Sequence, residues 1–204
     1  MGSNIAARRA AKANRRKAIV AEKRKAELLA GTMAERVRRA ASTPIRHCLL
    51  TDALFEVGIG TLILTRGITP DHLAMGLFLV DVFCLGVKDV SFRPISGLDL
   101  ETYLGIADEA QPSRSVDPSY ARKLLRDVAV WSESIGFPPH RDFAAVERLF
   151  GDVSIDACDA TFQFGRGGKP FYMPGPSESP DQVRRRMAQL RTRFGDECFE
   201  LMAS

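Results

Sequence analysis

Residues 73–87 read LAMGLFLVDVFCLGV, a nearly continuous apolar run in which Asp81 is the only charged residue. A run of this kind is typical of a strand that is covered on both faces of its sheet. Glycine inside a strand marks a bulge or a close approach of another part of the chain, and Gly76 and Gly86 occupy such positions. The sequence therefore predicts a central strand from His72 to Val87.

The neighbouring segments predict an antiparallel sheet of three or so strands, followed mostly by helices. Ile45 to Thr51 and Val57 to Arg66 are rich in Ile and Leu, Gly67 to Asp71 reads as a turn, and Thr161 to Met173 reads as a later hairpin. Helical patterns cover Met33 to Ala41, Asp99 to Ala107, Asp117 to Ile135, Asp142 to Phe150, and Pro180 up to a stop at Gly195. This order predicts an α+β fold, a small antiparallel sheet packed by helices.

Charge is distributed unevenly along the 204 residues. Residues 1–40 contain twelve Lys or Arg and three Glu, a net charge of +9, whereas residues 41–204 carry −5 within a total of +4. The basic part is rich in Ala, Arg, Lys and Glu, which are good helix formers. We predict a long basic N-terminal helical arm, residues 1–42, attached to a single α+β domain, residues 43–204.

The composition is typical of a cytoplasmic protein rather than a membrane-spanning one. No window approaches the roughly eighteen consecutive apolar residues that a transmembrane helix requires. The four cysteines lie far apart and form no C-x-x-C pair, which favours reduced thiols in a reducing compartment. Spacing assembles no metal site from the Cys and His residues, and we expect neither a metal nor a cofactor.

The arm contains the densest group of cations. Between Arg8 and Lys25 there are nine cations and one acid, and cations on one broad helical face can follow a phosphate backbone with little sequence preference. A membrane-binding helix would need bulky apolar residues opposite its cations, which are sparse before Leu28. The candidate RNA contacts in the arm are Arg8, Arg9, Lys12, Arg15, Arg16, Lys17, Lys23, Arg24 and Lys25.

Two smaller groups of cations are further candidates for phosphate contact. Arg166 and Lys169 flank the glycines of GRGGK, which reads as a hairpin tip. A nucleotide-binding phosphate loop would require Ser or Thr after the lysine, where Pro170 stands. Arg184 and Arg185 belong to the arginine-rich last helix, for which ordinary amphipathicity is the alternative explanation.

Aromatic residues near the same hairpin provide a second means of binding RNA. Phe162, Phe164 and Tyr172 would stack on bases if one face of the hairpin were exposed, although aromatic residues more often pack in a core.

The best catalytic candidates are Asp81, Lys88 and Asp89, because charged groups in an apolar run must be paired, exposed or functional. A metal-dependent nuclease of the Pro-Asp…Asp/Glu-x-Lys type would need a carboxylate two residues before Lys88, where Gly86 stands. The motif is incomplete, so a structural role for these residues is favoured over catalysis.

Two segments resemble those of a known group of proteins. FLVDVFCLGVKD, residues 78–89, and FQFGRGGKPFYMPG, residues 162–175, resemble segments of an uncharacterised family of bacterial proteins. The resemblance implies a bacterial cytosolic protein and implies no activity.

The sequence as a whole favours a non-catalytic RNA- or ribosome-associated protein that docks through its basic arm. One alternative is a protein-interaction module, whose acidic domain binds a protein partner while the arm serves as an electrostatic tether. A weaker alternative is a metal-dependent hydrolase that uses Asp81, Lys88 and Asp89.

Overall fold

The computed structural model describes residues 15–17, 19–20, 31–176 and 178–195. Residues 15–17 and 19–20 are helical and exposed, and the other residues from 1 to 30 lie outside the described ranges. The described chain has the predicted α+β fold, with helices packed on an antiparallel sheet. The sheet contains five strands rather than three or so, in the order β4-β3-β2-β1-β5.

Most elements follow one another with short connections, but a long segment without helices or strands separates Ala157 from Pro180. The strands are β1 Ile45–Thr51, β2 Ile59–Thr69, β3 His72–Asp81, β4 Gly86–Ile95 and β5 Ser113–Ser115. The α-helices are α1 Met33–Ala41, α2 Leu54–Val57, α3 Gly97–Ala110, α4 Pro118–Ser134, α5 Phe143–Val146 and α6 Pro180–Phe194. Two 3₁₀ turns, Glu147–Phe150 and Ile155–Ala157, follow α5.

The main core lies between the sheet and α4. Asp117 caps this helix by accepting a hydrogen bond from Ser119 N, which satisfies one of the free N–H groups of the first turn. Leu124, Leu125 and Val128 recur at helical spacing and are fully buried against the sheet. The helix therefore forms where the sequence predicts it, and its apolar stripe fixes its orientation.

The first helix, α1, is part of the packed body. It begins with a capping box between Thr32 and Glu35, and it buries Val37 and Ala40 in the main core. The core therefore begins within residues 1–42, the segment that the sequence assigns to the arm.

The other face of the sheet is covered by α3. Leu100 of this helix packs with Ile63, Leu73, Met75 and Ile95, all of which are buried. The third apolar cluster joins α6 to the end of α4; it consists of Cys84, Leu85, Ile135, Phe137, Tyr172 and Leu190.

The central strand ends earlier than the sequence predicts. β3 stops at Asp81, Val82–Leu85 form a turn, and β4 returns antiparallel to β3 from Gly86. The N–H groups of Phe83 and Cys84 donate to Asp81 Oδ1 at 3.0 and 2.8 Å, so the carboxylate holds the turn. The predicted strand is too long because residues 82–85 are as apolar as a strand but form a turn that other segments bury.

The predicted hairpin at Thr161 to Met173 is also only partly correct. Arg166 and Lys169 pair with each other across Gly167 and Gly168, whose φ values of 60° and 79° suit a tight turn. The flanking residues form no strands. Gly165 N donates to Val82 O at 2.9 Å and Phe171 N donates to Phe83 O at 2.8 Å, so the segment bonds to the β3–β4 turn instead.

Replacing Gly86 with alanine should destabilise the protein by at least about 2 kcal/mol. Gly86 has φ of 65°, and a Cβ there would lie 2.1 Å from Ser132 Oγ of α4. Gly105→Ala is the matched control, because Gly105 is in helical α3 with no atom within 4 Å of an added Cβ. That change should stabilise by about 0.5–1 kcal/mol. Urea unfolding of both variants tests this, and equal stabilities would contradict the expectation.

Candidate nucleic-acid interface

A cleft of about 610 Å³ opens between α2, the start of α4 and residues 160–167. Three parts of the chain that are distant in sequence contribute its walls, and the β3–β4 turn contributes Phe83. The side chains that give the cleft its chemistry are Phe55, Glu56, Tyr120, Phe162, Gln163 and Arg166.

Aromatic rings form a row that begins in this cleft with Phe55 and Phe162 and continues beyond it. The rings of Phe55 and Phe162 are nearly parallel, at 4°, with centroids 6.0 Å apart. Phe164 follows at 6.1 Å from Phe162, and Trp131 lies 5.4 Å beyond Phe164. Tyr120 meets Phe162 edge-on at 5.1 Å. Rings in such offset and edge-to-face arrangements stabilise one another and hold each other in fixed orientations.

The row is most accessible at its Phe55 end. Phe55 is 36% exposed, and Phe162, Phe164 and Tyr120 are half-buried. Partly exposed rings on a rigid wall are the type of surface on which nucleic-acid bases stack. Tyr172, expected on the same face, is instead 1% exposed within the α6 cluster, so this member of the predicted platform is wrong.

The cleft has both signs of charge at its edge. Lys123 Nζ lies 5.4 Å from the centroid of Phe162 and also pairs with Asp127. Arg166 and Lys169 are exposed at the turn, where the Arg166 guanidinium lies 4.8 Å from the centroid of Phe171. Glu56 is the acidic residue of the lining. A phosphate is therefore favoured at the turn and disfavoured beside Glu56.

The structure places the predicted cations in separate regions. Arg166 and Lys169 lie together at the mouth of the cleft, whereas Arg184 and Arg185 are exposed on α6 and do not line it. Arg184 pairs with Asp181 of the same helix. In the arm, Arg15, Arg16 and Lys17 are exposed, and the remaining predicted contacts lie outside the described residues: Arg8, Arg9, Lys12, Lys23, Arg24 and Lys25.

The three catalytic candidates do not form one site. Asp81 is buried and accepts hydrogen bonds from the turn, and Lys88 Nζ donates to Glu178 Oε1 at 3.0 Å. Asp89 is two-thirds exposed and lies 3.7 Å from His140 Nε2. Within the described ranges, no three His, Cys, Asp or Glu side chains are placed to hold a metal ion.

Burial gives Asp81 an unusual environment. Loss of hydration raises its pKa, and the N–H of Cys84 and the charge of Lys88 oppose that rise. The same burial raises the pKa of the Cys84 thiol, so that a thiolate is disfavoured at neutral pH. Asp81 therefore stabilises the turn, and the Cys84 thiol packs in the core without being activated as a nucleophile.

A buried polar network that the sequence did not predict holds α6 to the sheet. Glu178 accepts hydrogen bonds from Lys88 and from the hydroxyl of Tyr172, and Arg186 Nη1 lies 2.6 Å from Glu178 Oε2. Burial opposes ionisation of Glu178, but these partners outweigh it and lower its pKa. Burial and the bond to Glu178 raise the pKa of Tyr172 to about 12. Arg186 is thus a half-buried partner of Glu178, unlike the exposed Arg184 and Arg185 of the same helix.

Comparisons with known proteins give no match: no family model, no curated protein and no solved structure is similar to this chain. Across the residues that the structure describes, there is no helix long and apolar enough to cross a membrane.

Replacing Glu178 with glutamine should destabilise the protein by about 1–3 kcal/mol at pH 7, because Lys88 and Arg186 would lose their counter-ion. The folded-state pKa of Glu178 is lowered from its ordinary value of 4.5. Its stabilisation is therefore complete above that pH and is lost as the pH falls through the folded-state pKa. Unfolding of both proteins between pH 7 and 3 should show the difference shrinking below about pH 4.5.

Glu101→Gln is the control for this series, because Glu101 is exposed on α3. Its effect should stay within about 0.5 kcal/mol. A difference between wild type and Glu178→Gln that does not change with pH would contradict the assignment of an ionised Glu178.

Proposed function

We propose that this protein is a non-catalytic RNA-binding protein that docks through its basic N-terminal segment and stacks bases of a single strand in the aromatic cleft. The pair of rings formed by Phe55 and Phe162 in the cleft is the observation that carries the proposal. Both rings are partly exposed, their centroids are 6.0 Å apart, and they line the cleft together with Arg166. Stacking platforms beside cations are a common solution for single-stranded nucleic acid.

The two binding elements have different roles in this proposal. Cations between Arg8 and Lys25 supply salt-dependent attraction for phosphates, which has little dependence on base identity. The cleft supplies rings on which unpaired bases can stack. The bases of a duplex are already stacked on one another and are not available to these rings. A structured RNA with an unpaired loop, such as a ribosomal RNA, combines both features.

The proposal also places the protein in the bacterial cytoplasm. Cys48 and Cys84 are buried and form no disulfide. Reduced thiols in such positions pack like small apolar side chains. The resemblance of residues 78–89 and 162–175 to uncharacterised bacterial proteins is the support for a bacterial source.

Replacing Phe162 with leucine should lower the affinity for a single-stranded RNA about 5- to 50-fold, because the central ring of the row is lost while apolar packing is kept. Tyr103→Leu is the matched control, because Tyr103 is a half-buried residue of α3 outside the cleft. Its ring is also in contact with a cation, Arg93 of β4. Fluorescence anisotropy of a labelled heptamer measures both. Unchanged affinity for Phe162→Leu, or equal losses in both variants, would exclude stacking in the cleft.

Replacing Arg8, Lys12, Arg15 and Arg16 together with glutamine should reduce the slope of log affinity against log salt concentration by up to about three, because each phosphate contact on a single strand contributes about 0.7. The control exchanges Arg and Lys at the same four positions, which keeps the charge and should keep the slope. A slope that the glutamine variant leaves unchanged would show that the basic segment does not contact RNA, and would favour its role as a protein tether.

A further inference from the structure

The polar lining of the cleft contains two exposed side chains that are accessible to a ligand, Glu56 and Gln163. The Glu56 carboxylate and the Gln163 amide line the cleft, and neither has a hydrogen-bond or ion-pair partner among the described residues. Rings stack on the face of any base, so they do not select one. Selection among bases depends on the groups that meet the base edge, of which Glu56 is the charged one here.

The charge of Glu56 restricts what can lie beside it. An ionised carboxylate only accepts hydrogen bonds, so it requires N–H donors and repels phosphate oxygens. A nucleotide in the cleft therefore has its phosphate toward Arg166 and its base edge toward Glu56. The two residues belong to different walls of the same cleft, α2 and the segment 160–167.

The four RNA bases differ in the donors that they offer to a carboxylate. Adenine, cytosine and uracil each present one donor group on the pairing edge, whereas guanine presents N1–H and the N2 amino group side by side. Two neighbouring N–H groups match the two oxygens of a carboxylate, as they do in other bidentate pairs. Gln163 can donate and accept, so it adapts to the remaining edge and adds no preference of its own.

We infer that the cleft selects guanine, with the base stacked on the row of Phe55 and Phe162, and with Glu56 accepting hydrogen bonds from N1–H and N2–H. This inference rests on the proposed function, because it assumes that the ligand of the cleft is single-stranded RNA. It adds a base identity to a site that stacking alone leaves unspecific.

The test uses the full-length chain and five labelled heptamers: seven uridines, and the same strand with guanosine, adenosine, cytidine or inosine at the centre. The guanosine strand should bind about 5- to 100-fold more tightly than the uridine, adenosine and cytidine strands, the range expected for one bidentate contact. The inosine strand should bind several-fold more weakly than the guanosine strand, because inosine keeps N1–H and lacks the N2 amino group.

Two variants assign the preference to one carboxylate. Glu56→Gln should reduce the preference for guanosine to less than about twofold and should not weaken binding of the uridine strand. Glu101→Gln, an exposed acid on α3, should keep the preference. Equal binding of all heptamers, equal binding of the guanosine and inosine strands, or an unchanged preference in Glu56→Gln would each overturn the inference while leaving the proposed function in place. Failure of every heptamer to bind would overturn both.

Discussion

The turn between β3 and β4 is the constraint on which the rest of the structure depends. Val82–Leu85 are apolar and buried, so the polar groups of their backbone cannot be left to water and need partners within the protein. Asp81 accepts two of the N–H groups. Gly165 and Phe171 donate to the carbonyls of Val82 and Phe83. These hydrogen bonds to the β3–β4 turn fix residues 165–171, which contain no helix or strand, against the sheet.

The candidate site is a consequence of this arrangement. The bond from Gly165 places Phe162 and Phe164 beside α2 and α4, where they meet Phe55 and Trp131. Phe83 of the turn lines the floor of the cleft and meets Phe171 edge-on at 6.1 Å. Lys88, just after the turn, holds Glu178 and with it the start of α6. The turn and its hydrogen bonds fix the position of the row, together with the packing of Phe162, Phe164 and Trp131 against the main core.

The sequence predicts well the elements whose ends have their own chemical signals. α1 and α6 carry capping boxes, α4 has Asp117 and Pro118 at its start, and all three lie within a residue or two of the predicted bounds. The predicted end of the central strand is wrong, because a buried apolar turn has the same composition as a buried strand. An aspartate followed by four apolar residues and a glycine was the available signal: Asp81 can hold a turn, and Gly86 can adopt positive φ.

The candidate site was less predictable than the fold. Arg166, Lys169, Phe162 and Phe164 belong to one short segment: Phe162 and Arg166 line the cleft, Phe164 packs beside Phe162, and Lys169 pairs with Arg166. Phe55, Glu56, Tyr120 and Trp131 come from other parts of the chain, and no local pattern distinguishes them from core residues. Glu178 read as part of a loop, because its role appears only when Lys88 of β4 and Arg186 of α6 are brought to it.

The charge of the two parts gives a physical reason for joining them in one chain. Residues 41–204 carry a net −5, so a cleft in this body repels a polyanion at long range even where Arg166 attracts one phosphate locally. Under the proposed function, residues 1–40, at +9, offset that repulsion and hold an RNA strand near the body. Binding in the cleft then becomes an intramolecular step at a raised effective concentration. Under the proposed function, affinity comes mainly from the basic segment and discrimination from the cleft, and neither part alone binds RNA with both properties.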